Sequence, residues 1–267
     1  MAWHPVEVLI SPDLITRAQK MLEAMVAAAP AAIRCVVRTQ FTGTVQTVLT
    51  YGLGHPARRP LWMGHVAKGG RVIAFDLGYW ARKEHDFGMR LTVDADHPQK
   101  WLRPEDGRRW AAMGIGLRED YSPDGPIVLC GMGWKSRRIL AGDWEAETLA
   151  RIRAAYPGRA VVFKPKRETD PGLPGVPVVR GAIEDVLKGA SLLVCRHSNV
   201  AVDACIAGVP AVCEDGAAAA LYGSDLAAPR QPSRAERLAF LESLAHWQYR
   251  PSEARLAWEY LKGRGFV

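Results

Sequence analysis

No apolar run in this 267-residue chain approaches the ~20 residues that a membrane helix needs, which excludes a helical membrane span. The first residues, Met1-Ala2-Trp3-His4-Pro5-Val6-Glu7, hold neither the basic stretch nor the apolar core of a secretory signal. Cysteine is sparse: Cys35, Cys130, Cys195, Cys205 and Cys213 include no Cys-x-x-Cys pair and sit mostly inside apolar runs. That pattern predicts buried, reduced thiols in a cytoplasmic protein, not disulfides or metal ligands. Histidine is scattered as well. His55 and His65 lie ten apart with no partner cluster, so a zinc site is not expected. There is no internal repeat and no basic low-complexity tail.

What is present is an ordinary globular composition, 48% hydrophobic and 24% charged, enough for a sizeable core in one large or two small domains. The formal net charge is +7 and the pI about 9.3. A basic balance suits an anionic partner such as a nucleotide, a nucleic acid or an acidic glycan.

The chain is organised around residues 191–214. Residues 192–195 are a short apolar run, the signature of a buried strand. A polar turn follows, Arg196-His197-Ser198-Asn199, in which Ser198 or Asn199 is a good N-cap. Val200, Ala201, Ala204, Cys205 and Ala207 then fall at helical spacing. Gly208 and Pro210 stop that helix, and residues 209–213 begin another strand.

Upstream, strands are predicted at 6–10, 33–37, 45–49 and 71–75. A helix started by Ser11-Pro12-Asp13 runs toward Pro30, and a short one covers 60–68. Residues 81–125 change character, and 121–126 are turn material that reads as a linker. A second pattern follows, with strands at 127–130, 160–163 and 176–179 and a loop at 131–136. Asp143 caps a helix and residues 183–187 form a short one. Ser233 and Glu236 form a capping box, and a last helix carries Ala254, Trp258 and Leu261. The expected fold is α/β, two Rossmann-like domains with a C-terminal helical tail. The expected boundaries are 1–122 for an acceptor-side domain, 123–247 for a nucleotide-binding domain and 248–267 for a helix packing back on the first.

In open parallel sheets, ligands bind beyond the carboxyl ends of the strands. Three such ends are unusual here: Gly131-x-Gly133-Trp134-Lys135-Ser136, Lys164-x-Lys166-Arg167, and His197-Ser198-Asn199. Each alone reads as solvated loop charge or a stabilising cap. Together they put cations, backbone donors and a helix N-terminus around one place, which suits a diphosphate. Asp203, among small residues on the following helix, can accept two hydrogen bonds from vicinal hydroxyls, as in a ribose. In the first half, Asp76 ends a strand and is a candidate general base for a hydroxyl, with Asp94 as second choice.

These residues carry a resemblance. The run from Asp203 through Gly208-Val209-Pro210 resembles the (Glu)-Ala-x-x-x-Gly-x-Pro element of GT-B glycosyltransferases, with Asp in place of Glu. Residues 180–187, including Ile183, look like the turn that borders the nucleobase. Phe163-Lys164-Pro165-Lys166 resembles the Arg/Lys-Pro-His-Pro element of capsule-type transferases, with Lys166 replacing His. Phe75-Asp76-Leu77-Gly78-Tyr79-Trp80, followed by Thr92-Val93-Asp94, resembles the Glu-x-Gly-Tyr and Thr-x-Glu pattern of capsule Kdo transferases. Trp247-Gln248-Tyr249 and the residues up to Leu261 look like the tails of glycosyltransferase-like proteins in tailed bacteriophages.

The resemblance implies a glycosyltransferase that needs no metal or other cofactor and uses a nucleotide sugar, a UDP-sugar first, as co-substrate. The donor residues would be Gly131, Gly133, Trp134, Lys135, Lys164, Lys166, Ile183, His197, Ser198, Asn199 and Asp203. The acceptor side would be Tyr79, Trp80, Arg82 and Trp101. The acceptor expected first is a hydroxymethylated pyrimidine in DNA, flipped out to reach the site, with the host cytoplasm as location if the protein is phage-encoded. A polysaccharide or lipid-linked glycan is the alternative acceptor. A sugar-nucleotide epimerase and a non-catalytic nucleotide- or DNA-binding protein are the other readings.

Overall fold

The structure, a computed structural model, describes residues 4–80, 82, 88–139 and 142–267. Strand β1 (His4–Leu9) is followed by α1 (Thr16–Ala27), β2 (Ile33–Arg38), β3 (Thr47–Tyr51), α2 (Arg59–Ala67), β4 (Arg71–Leu77) and β5 (Met89–Val93). Then come α3 (Arg108–Ala112), β6 (Ile127–Cys130), α4 (Trp134–Ile139), α5 (Trp144–Ala155), β7 (Val161–Lys164) and α6 (Ile183–Val186). The chain continues through β8 (Leu192–Cys195), α7 (Val200–Ala207), β9 (Ala211–Cys213), α8 (Ala219–Tyr222) and α9 (Arg234–Ala245), and ends with β10 (Gln248–Tyr249) and α10 (Ala254–Gly263). None of the described helices is long and apolar enough to cross a membrane.

The elements form two compact units. Unit 1 is Met1–Pro98 with His246–Val267, and unit 2 is Gln99–Ala245. Residues 99–122, expected on the acceptor side, thus belong to unit 2.

Unit 1 is built on a six-stranded sheet in the order β10-β5-β4-β3-β1-β2. β2, β1, β3 and β4 are mutually parallel, whereas β5 and β10 add antiparallel at one edge. Residues 90–98 stand out in the sequence without being predicted as a strand. Met89-Arg90-Leu91-Thr92-Val93 alternates apolar and polar, but over five residues only, and the pairing with β4 makes them β5. Val6, Val8, Val48, Leu49, Val72 and Ile73 are wholly buried, as expected of parallel strands covered on both faces. On α1, Ala18, Met21, Leu22 and Met25 form the buried stripe. The C-terminal segment completes this core: Trp258 is fully buried and its indole N–H donates to Met25 O at 2.8 Å. The helix start expected at Ser11 is a turn instead, with α1 beginning at Thr16 and no side-chain cap.

Unit 2 carries a four-stranded parallel sheet, β7-β6-β8-β9. Asp143 caps α5 by accepting from Ala146 N, and Ser233 and Glu236 cap α9 reciprocally. The strand expected at 176–179 is only a single bridge between Phe163 and Val178. Pro177 has no N–H to give a ladder, and Pro174 and Gly175 break the run before it. Gly208, at φ +76°, turns the chain out of α7 as the sequence implied.

Candidate donor site

Strands β7, β6, β8 and β9 end side by side at Lys164, Cys130, Cys195 and Cys213, so their following loops share one edge of the unit 2 sheet. From β6 the chain steps to β7 on one side, then returns to place β8 on the other. The loops after β6 and β8 therefore diverge and leave a crevice between them, the topological switch point where open α/β sheets bind ligands. Across it, Ser136 Oγ and the His197 imidazole Nε2 lie 2.7 Å apart.

The loop after β6 is shorter than expected. Gly131, Met132 and Gly133 are the whole of it, because α4 starts at Trp134. Glu145, from the first turn of α5, holds the loop in shape. Its carboxylate accepts from Met132 N at 2.7 Å and takes Arg137 as a bidentate partner, at 2.7 and 3.1 Å. Gly131 N donates to Lys164 O, tying the loop to β7. A Cβ on Gly131 would lie 2.8 Å from the Phe163 ring and 3.0 Å from Glu145 Oε1, so only glycine fits. At Gly133 the nearest atom is Lys166 Cγ, 3.8 Å away, so room is not what asks for glycine there.

Lys164 is largely buried and reaches Glu168 at 3.3 Å. Glu168 also accepts from Gly181 N, which holds its carboxyl below the usual range and ties the lysine loop to the turn before α6. Ile183, buried, opens α6. Lys166, Lys164 and Asp203 all act electrostatically on the Cys130 thiol at the end of β6, which burial above all pushes up. Three of the four Lys and Asp side chains expected in the donor site thus act on one strand end, and the fourth, Lys135, stands by Trp134.

Asp203 sits in the first turn of α7 and is only 6% exposed, an unusual burial for a carboxylate on a helix start. Neither expected cap has the standard form. Asn199 makes no side-chain cap, and Ser198 Oγ takes Val200 N at 3.4 Å. The turn is held instead through its backbone: Asp215 N donates to Arg196 O, and a Cβ at Gly216 would fall 3.3 Å from His197 Cα. Trp134 is 40% exposed at the start of α4, with Arg138 over its ring at 5.0 Å and Lys135 at 6.0 Å.

In unit 1, Asp76 lies within β4. Its Oδ2 pairs with Arg90 of β5 at 3.1 Å and its Oδ1 accepts from Leu77 N. The side chain is 27% exposed, within reach of a ligand. Asp94 lies at the other end of β4, where its carboxylate accepts from Val72 N at 2.8 Å and meets Arg71 at 3.4 Å. Its φ of +56° marks a tight turn that these bonds secure. Asp76 and Asp94 therefore do not share an edge. Tyr79 and Trp80 are 0% and 6% exposed, so neither presents a face for a base to stack on. Arg82 donates to Tyr79 O at 2.6 Å. Trp101 belongs to unit 2, where Lys100 stands over its ring at 4.8 Å.

Ser136 closes the Gly131–Ser136 motif that stands out in the sequence, where no role was expected of it, and Glu145 is a residue that sequence reasoning does not find. A Glu in the first turn of an amphipathic helix looks like ordinary dipole compensation, and nothing local tells that it turns inward. Among the described residues no group of three or more His, Cys, Asp or Glu is arranged to hold a metal ion.

No protein-family model matches the chain. No curated protein matches it either. Solved structures do. The β-Kdo 2,4-transferase of KpsC from Thermosulfurimonas dismutans is similar with a TM-score of 0.54 and 15% identity, over 90% of this chain and 91% of that one. The β-Kdo 2,7-transferase of the same KpsC also gives 0.54, at 13% identity, over 97% and 99%. Both are GT-B glycosyltransferases, and at these identities the likeness is one of fold: this chain shares the α/β architecture of the capsule-type Kdo transferases that its motifs resemble.

Proposed function

We propose that the protein is a glycosyltransferase that moves a sugar from a nucleotide-sugar donor to a hydroxyl on a carbohydrate acceptor. The observation that carries this reading is the switch-point crevice of unit 2, where Ser136 and His197 lie 2.7 Å apart beside the Gly131–Gly133 loop and where Lys164, Lys166 and Asp203 act on the neighbouring Cys130 strand end. Amide groups and ammonium ions there suit a phosphate, and a buried carboxylate one turn into the helix suits ribose hydroxyls. The fold neighbours, whose titles name Kdo transfer, support a glycan acceptor. A DNA base has no such support, and the enclosure of Tyr79 and Trp80 removes the stacking platform invoked for it.

The chemistry follows from these roles. The acceptor hydroxyl gives its proton to the Asp76 carboxylate, and its oxygen bonds to the anomeric carbon. The bond from that carbon to the phosphate oxygen breaks. The departing nucleotide carries the electron pair away, and Lys164, Lys166 and the Gly133 amide stabilise the charge. Asp94, at the opposite end of β4, has no part in this scheme.

A thermal-shift screen of UDP-, CMP- and GDP-sugars tests the donor half. A nucleotide at a hundred times its Kd should stabilise the fold by about 2.7 kcal/mol. A transfer assay with glycan and with hydroxymethylated DNA acceptors tests the other half. A screen in which no nucleotide raises the Tm would sink the reading.

A further inference from the structure

Asp76, Arg90 and Gln248 occupy one row of the unit 1 sheet. Asp76 is the register partner of Arg90 across β4 and β5, and Arg90 is the register partner of Gln248 across β5 and β10. Residues paired in this way project from the same face of a sheet. The row is thus a carboxylate, a guanidinium and an amide side by side, with the Asp76–Arg90 ion pair at 3.1 Å.

Gln248 is 3% exposed, and its amide group reads backbone. Oε1 accepts from Tyr79 N at 2.5 Å and Nε2 donates to Trp80 O at 3.3 Å. Tyr79 and Trp80 follow closely on Asp76, so these bonds fix the path of the chain as it leaves β4. The two glycines beside the amide make room for it. A Cβ at Gly78 would lie 2.7 Å from Gln248 Oε1 and against Gly88 O, and a Cβ at Gly88 would strike Gln248 Nε2. An alanine or leucine would be enough to fill a core position. A buried amide seated between two glycines, with both its ends hydrogen-bonded to one loop, is placed for its donors and acceptor.

We infer that Gln248 is a positioning residue for Asp76, acting through the Gly78–Trp80 backbone and through its neighbour Arg90 in the same row. The inference rests on the reading of Asp76 as the base. It gives the C-terminal segment a role in the reaction: β10 carries into unit 1 the side chain that sets the carboxylate's aim. The geometric tolerance of proton transfer makes such a residue matter, because a misplacement of about 1 Å costs up to about 100-fold in rate.

The test compares wild type with Gln248→Met, which keeps the volume and loses both bonds, and Gln248→Glu, which keeps an acceptor for Tyr79 N. Steady-state transfer kinetics, nucleotide-induced thermal shift and hydrogen exchange at the Tyr79 amide are measured on each. The expected result for Gln248→Met is a kcat about 10- to 100-fold lower, with the donor KM and the nucleotide-induced shift unchanged and faster exchange at Tyr79. Gln248→Glu should recover part of the kcat. A Gln248→Met enzyme as fast as wild type overturns the inference and leaves the transferase reading standing. So does a parallel loss of kcat and donor affinity, which marks a fold defect, or failure of both variants to fold. A wild type that transfers no sugar defeats the transferase reading itself, before any variant is compared.

Discussion

The two units repeat one strand order and use it differently. Taking the parallel strands by rank, unit 1 runs 2-1-3-4 as β2-β1-β3-β4, and unit 2 runs 2-1-3-4 as β7-β6-β8-β9. Each therefore has a switch-point crevice between its first and third strands. In unit 1 the loops after β1 and β3 are joined across the crevice by an ion pair, Arg58 to Asp13 at 2.5 Å. In unit 2 the segments after the first and third strands are joined instead by a hydroxyl–imidazole contact, Ser136 at the start of α4 to His197. A salt bridge spends both charges on each other. A hydroxyl and an imidazole do not cancel opposite charges in this way, and Gly133 beside them, with nothing nearer than 3.8 Å to a Cβ placed on it, leaves its backbone open to approach. Topology supplies two seats, and the second is the one that carries the proposed nucleotide site. The basic excess follows the other unit: Lys and Arg outnumber Asp and Glu by 15 to 10 in unit 1 and by 20 to 18 in unit 2.

The sharpest way to break this division of labour is one acid from each unit. Asp76→Asn should lower kcat by about 100- to 10,000-fold, the usual worth of a general base, with the nucleotide-induced thermal shift intact. Kinetics and binding on the same preparation check it. If Asp76→Asn weakens the nucleotide as well, unit 1 is not confined to the acceptor. Glu145→Gln should do the reverse. It removes the charge that holds Arg137 and Met132 N, at a cost of about 1.5–3 kcal/mol in denaturant unfolding, and loosens the donor loop. Donor KM should rise several-fold more than kcat falls. An unchanged donor KM would take Glu145 out of the site.

The two glycines of the donor loop sharpen the contrast further. Gly131→Ala should cost about 1–3 kcal/mol, because its Cβ meets the buried Phe163 ring and Glu145, neither of which can retreat. Gly133→Ala meets nothing closer than Lys166 Cγ and should leave stability within about 0.5 kcal/mol. With the Gly133 amide facing a phosphate, as proposed, that same methyl group should weaken nucleotide binding severalfold. Equal binding by wild type and Gly133→Ala would remove the close approach of backbone to ligand.

Unit 2 was largely legible in the sequence because its signals are local. An apolar run, a polar turn, small residues at helical spacing and Gly208-Val209-Pro210 each follow from neighbours a few residues apart. The gathering of Lys164, Gly131 and His197 at one edge then follows from strand direction alone. Unit 1 was harder to read because its decisive contacts are distant in sequence. β5 gains its strand from β4, and β10 is two residues long, invisible without its partner. The backbone of Tyr79 is held by Gln248, 169 residues away. Aromatic residues after a strand look like a binding platform until the fold buries them, as it does Tyr79 and Trp80. The separation of Asp76 from Asp94 likewise depends on β5 running back along β4, which no local pattern in residues 81–94 announces.

The smallest effect concerns alkaline stability and again sets one unit against the other. Tyr51 ends β3 beside the Asp76–Arg90 pair, and burial, with Asp76 adding to it, pushes its hydroxyl up to about 12. An unfolded tyrosine titrates near 10. Between those values the native state holds a proton that the unfolded chain has lost. The contribution is therefore complete below about pH 10 and disappears as pH rises through about 12. Tyr51→Phe cannot titrate, so its stability should fall less steeply over that window, the difference reaching about 1–2 kcal/mol after allowance for the residue's partial exposure. In unit 2, Tyr156 is also raised, by burial first, while its hydroxyl donates to Leu226 O at 2.6 Å. Tyr156→Phe also loses that bond, so its curve should already lie lower below about pH 10, and it too should then fall less steeply than wild type because the raised hydroxyl is gone. Denaturant unfolding of the three proteins from pH 8 to 12 distinguishes the two behaviours. A Tyr51→Phe curve parallel to wild type would mean that the carboxyl edge of unit 1 is wetter than its geometry implies, and Asp76 would then work in water.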